Sequence, residues 1–216
     1  MDMLRVLSYI GNSILCINIF IYFTGFSRNG KAYRFFTLYL LAIGIIQAII
    51  EYYAHKGYNN HFLSNYYLFA RFTFLSAFFY YLFYHFKKNI SRTIKFITVG
   101  VILALAVQYG VHPEEYYKFN SLGFLVTSAL LVVYAVFYLY EMLTQKLPFV
   151  YVTTGIFLYI LSSAVIFAAG SYLISPDDEI NMFIWRLNAF LFILYQLLIL
   201  WEWKTAFYKR RPKQGQ

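Results

Sequence analysis

Hydrophobic residues fall into seven blocks along this chain, at positions 6–26, 35–54, 66–86, 96–111, 121–143, 150–174 and 182–203, and the charged, Gly, Pro and Asn residues gather in the short gaps between them. A helix of about 20 apolar residues, rising 1.5 Å per residue, crosses the roughly 30 Å of hydrocarbon in a bilayer. Each block is long enough to do so, although the fourth must sit upright or thin the membrane. The expectation is an all-α polytopic membrane protein: one domain, 1–216, of seven transmembrane helices, followed from 204 by a basic tail. The first block has a weak basic flank, exceeds the usual length of a signal core and is followed by no small-residue cleavage pattern, so it is kept as a helix.

Composition agrees with that pattern. Of the 216 residues 61% are hydrophobic and 12% charged, where a soluble domain carries about 25% charged residues. Cys16 is the single cysteine, which excludes a disulfide and a thiolate metal site and leaves a packing role.

Basic residues set the orientation. Arg28, Lys31, Arg34, Lys87, Lys88, Arg92, Lys95, Lys146, Lys204, Lys209, Arg210, Arg211 and Lys213 lie in or beside the first, third and fifth connections and the tail, whereas only Arg5, Lys56 and Lys118 lie on the other side. Lys and Arg accumulate in cytoplasmic loops. The N-terminus is therefore expected outside and the C-terminus in the cytoplasm of a bacterial inner membrane. Lys209, Arg210, Arg211 and Lys213 are expected to rest on anionic headgroups, each favoured by about 1 kcal/mol. Because the aromatic residues lie inside helices and the basic ones at helix ends, stacking on a nucleic acid is excluded.

What a membrane helix keeps polar at depth is expensive and so informative. A charged side chain there costs at least about 2.5–3.5 kcal/mol on insertion scales. Glu51, Arg71 and Arg186 are such residues, and Gln47, one turn from Glu51, shares its helical face. Asn12, Gln108 and Asn188 fall at similar outer depths. The seven residues together are expected to line an outward-facing pocket with a surplus positive charge, in which Glu51 pairs with one Arg and an anionic small molecule or lipid headgroup meets the other. Arg grips carboxylate and phosphate through a planar fork of donors. An alternative is that Glu51 and an Arg merely lock the bundle.

No catalytic constellation is present. His55, His61, His85 and His112 lie in connections or at a helix end, and Glu51 with His55 is the only pair that begins a zinc spacing. A retinal-type Schiff base needs a Lys near the middle of the last helix, and Lys204 is at its end. The chain is read as non-enzymatic, without cofactor or metal.

The stretch 38–56, closed by Gln47 and Glu51, the Asn65-Tyr66-Tyr67 that opens the third block, and the last helix from Trp185-Arg186-Leu187-Asn188 to Trp201 resemble small seven-helix membrane proteins of Bacteroidota-type bacteria, often encoded near sensor kinases and response regulators. That resemblance implies a sensing or accessory role. The expected function is a ligand- or lipid-sensing or accessory subunit that signals through a protein partner in the membrane or cytoplasm. A small-solute or lipid transporter and a structural subunit of a larger complex are the alternatives.

The topology has a direct test. Cysteines at Asn59 or Asp178 should react with an impermeant thiol reagent in spheroplasts, and cysteines at Asn89 or Gln214 should not; the reverse labelling overturns the orientation.

Overall fold

The computed structural model describes residues 3–58, 60, 62–172 and 178–208, with the side chains of 115, 167–172 and 178–181 left out. The described chain is all-helical. Its helices are α1 (Met3–Phe23), α2 (Lys31–His55), α3 (Leu63–Phe83), α4 (Lys88–Val111), α5 (Ser121–Met142), α6 (Val150–Tyr172) and α7 (Asp178–Glu202), with a short 3-10 turn at Pro113–Tyr117 and a π turn at Trp203–Phe207. Four of them, α1, α2, α4 and α5, and the run Met182–Phe207 are long and apolar enough to cross a membrane.

The seven apolar blocks each correspond to one helix, with ends that shift for a physical reason. The fourth helix begins at Lys88 and not at 96. Apolarity marks only the part suited to hydrocarbon, whereas Lys and Arg propagate a helix almost as well as Leu, so the hydrogen-bonded ladder runs two turns further. A helix of 24 residues needs no thinning of a bilayer.

Side-by-side packing joins α1 to α2, α2 to α3, α3 to α5, α5 to α6, α6 to α7 and α7 back to α1, closing a ring of six helices, with α4 set against the outside of α3. The peripheral helix has the exposure this implies: Phe96, Val99, Leu103, Val107 and Val111 recur three or four residues apart and are all exposed, the stripe that a lipid-facing helix presents. By contrast α3, which carries Asn65, Arg71 and several tyrosines, buries eleven side chains against its three neighbours. It can be less apolar because protein surrounds it.

Polar bonds between helices fasten the ring. From α1, the Asn18 amide donates to both the backbone and the side-chain oxygen of Gln196 on α7, each at 2.9 Å, and the Tyr22 hydroxyl donates to the Ile199 carbonyl at 3.1 Å. Tyr33 on α2 donates in turn to the Tyr22 carbonyl at 2.9 Å. A further tie is Glu202 at the end of α7. Its buried carboxylate accepts the backbone N–H of Phe149 at 3.0 Å and of Tyr151 at 2.8 Å, so one helix supplies the anionic cap of another. Phe149 sits at φ 65° in the sharp turn after Pro148 that points these N–H groups at Glu202.

A buried donor left without a partner costs about 1–3 kcal/mol. Glu202→Ala should therefore lower unfolding stability in mixed micelles by about that amount, and Glu202→Gln, which keeps one acceptor oxygen, by less. A melting curve for Glu202→Ala that coincides with wild type would show that the cap contributes nothing.

Candidate functional site

Of the polar residues expected together, Asn12, Gln47 and Glu51 share a groove that Arg71 does not line. The most unusual surroundings are those of Arg71.

Asn65, two turns earlier on α3, fixes that helix. Its amide donates to the carbonyls of Tyr116 at 2.6 Å and Lys118 at 3.1 Å, and its oxygen accepts the Tyr109 hydroxyl at 3.0 Å. Asn120 extends the network by donating to the Tyr109 hydroxyl at 2.9 Å and to the Gln108 side-chain oxygen at 3.2 Å, while its own oxygen caps α5 by accepting the Gly123 N–H at 2.8 Å. Gln108 is thus engaged in joining α4 to α5. The sequence offered a signal for this that the reading above did not use: an Asn immediately before an apolar run is a favoured helix cap.

Held by that network, Arg71 projects from α3 toward α5 and is only 1% exposed. Nη2 donates to the Ser128 hydroxyl at 2.7 Å, and that hydroxyl donates to the Phe124 carbonyl at 2.6 Å. The guanidinium lies over the Phe124 ring at 4.2 Å and over the Tyr67 ring at 5.6 Å. Among the described residues Nε has no hydrogen-bond partner and no carboxylate pairs with Arg71. Ring faces are worth about 2 kcal/mol to a desolvated cation, which leaves the greater part of its desolvation unmet.

Glu51 lies elsewhere. With Tyr9, Asn12, Cys16, Gln47 and His55 it lines a groove of about 500 Å³ between α1 and α2, where it is exposed and makes no ion pair. The expected Glu51–Arg pair is therefore absent: α2 turns this face to the outside of the ring, while Arg71 turns inward. Arg186 and Asn188 are half-buried on α7, which does not line the groove. Lys209, Arg210, Arg211 and Lys213 fall outside the described residues. No cluster of three metal-ligating side chains occurs among the described residues.

Outside the bundle, Glu114 meets the His112 ring at 3.3 Å. Its own backbone N–H and then His112 hold its carboxyl below the usual range.

No protein-family model, no curated protein and no solved structure matches the chain. The findings show a seven-helix all-α protein with five helices of membrane-crossing length and apolarity.

Since Glu51 pairs with none of the described residues, Glu51→Gln should leave the melting temperature in detergent unchanged. Asn65→Ala, which strips partners from the Tyr109 hydroxyl and two carbonyls, should destabilise by about 1–3 kcal/mol. A marked loss in Glu51→Gln would show that the groove residue carries a structural bond.

Proposed function

We propose that this chain is a non-enzymatic, seven-span protein of a bacterial inner membrane, N-terminus outside, that recognises an anionic group inside its bundle and passes the resulting change in helix packing to a partner. The observation that carries this reading is the Arg71 guanidinium: buried and, among the described residues, without a carboxylate and with no hydrogen-bond partner for Nε. Arg cannot shed its proton to escape the cost of burial. Buried charges in proteins are paired, so an unpaired one marks a place where a carboxylate or phosphate, of a small molecule or a lipid, completes the site.

Enclosure gives the reading a mechanism. Ser128 and Phe124 on α5 cover the guanidinium, so an anion reaches it only if α3 and α5 part. Differential affinity for the parted state is what converts binding into a conformational signal. The resemblance to sensor-associated membrane proteins supports the same role. A second observation favours membership of a larger assembly: the groove carrying Asn12, Gln47 and Glu51 opens on the outer face of the ring, where polar side chains facing lipid gain from a partner helix.

The test is a sign, not only a size. Replacing a buried, uncompensated charge with an apolar side chain of similar volume is neutral or stabilising by about 1–4 kcal/mol. Arg71→Met should therefore melt at or above wild type without added anion, and should lose the rise that carboxylates, phosphates or anionic lipids give the wild type, about 2.7 kcal/mol at a hundred times the dissociation constant. An Arg71→Met protein that is much less stable, with a wild type indifferent to every anion, would make Arg71 a structural residue.

A further inference from the structure

The first, third and fifth connections and the π turn after α7 converge at the basic end of the bundle around a cavity of about 670 Å³. Its floor is aromatic. The rings of Tyr33 and Phe149 each pack on Phe207, with centroids 4.8 and 5.2 Å apart, and Tyr138 completes the base. The rim carries one cation, Lys31, whose ammonium lies 5.4 Å over the Tyr81 ring; His85 also lines the cavity.

No acid among the described residues answers these groups. The two carboxylates described at this end are committed elsewhere, Glu141 to Lys87 at 3.3 Å and Glu202 to the start of α6, and neither lines the cavity. The N-terminus of α2 also opens here, and its N-cap Gly30 offers no side-chain acceptor, nor is there an acid in the first turn. Its free N–H groups add partial positive charge to that of Lys31.

A cavity of this size is within the range of sites for small ligands. An aromatic floor beneath a cationic rim fits an amphiphile with one phosphate in its headgroup, and basic pockets between membrane helices at the Lys- and Arg-rich end are where anionic headgroups bind. We infer that this cavity holds the phosphate headgroup of an anionic phospholipid from the adjoining leaflet. Lys31 and the first N–H groups of α2 meet the phosphate, His85 flanks it, and Tyr33, Tyr138 and Phe207 carry the apolar part. The site is separate from Arg71 and does not depend on the role proposed for it.

Gly30 permits a test by charge alone. It has an extended backbone at φ −66°, and an added Cβ would meet nothing within 4 Å. Both Asn and Asp are good caps there, but only Asp sets a carboxylate at the phosphate position. Native mass spectrometry of the purified protein, titrated with phosphatidylglycerol and with phosphatidylcholine, should show wild type and Gly30→Asn retaining the anionic lipid in preference. Gly30→Asp and Lys31→Gln should each weaken its retention at least about fivefold, the worth of one basic group at a membrane surface. Arg71→Met should retain it as wild type does, so the two sites fail independently. Equal retention of both lipids, or Gly30→Asp and Lys31→Gln both behaving as wild type, overturns the site. Displacement of the lipid by millimolar inorganic phosphate would assign the cavity to a free anion and overturn the lipid. Should the Gly30 variants not fold, Lys31→Gln carries the test.

Discussion

Lipid offers no hydrogen bonds, so every polar group that a membrane bundle buries has to find its partner within the protein. That requirement organises this molecule. The bonds that close the ring are made by side chains reaching across to a neighbouring helix: Asn18 and Tyr22 from α1 to α7, Glu202 from α7 to α6, and the Asn65 and Asn120 network that gathers α3, α4 and α5. Measured singly in membranes such bonds average only about 0.6 kcal/mol. Their value is directional, since each determines which faces of two apolar cylinders meet.

Arg71 departs from that requirement, and the departure is what gives it meaning. The central helix α3 is shielded on its flanks by α2, α4 and α5 and so can carry a guanidinium where an outer helix could not. One hydroxyl and two ring faces meet part of its demand. The remainder is the ground for the proposal that an anion completes the site, and the cover that Ser128 and Phe124 give is why that proposal includes a movement of α3 against α5.

The two ends of the ring differ in the same physical terms. At one, asparagines and tyrosines satisfy each other in a closed network around Asn65 and Asn120. At the other, the two described acids are engaged by Lys87 and by the start of α6, and neither lines the cavity that carries Lys31. An asymmetry first visible as loop composition becomes a difference in which side chains line each end.

Sequence alone determined the number of helices, their order and the apolar core of each, because the length and apolarity needed to cross hydrocarbon are properties of a contiguous stretch. It also singled out Arg71 and Glu51 as charges at unusual depth. It did not determine which way either faces. Each residue turns a helix by 100°, and in a helix that is apolar nearly all round no stripe marks the inward side; only packing against α1 and α3 put Glu51 in an open groove, and only packing against α5 set Ser128 and Phe124 on Arg71. The cap by Glu202 was hidden for the same reason, since it joins residues more than fifty positions apart through the turn at Pro148 and Phe149. Local pattern decides where a helix lies along the chain, and tertiary structure decides its rotation, which is what selects the groups that can meet.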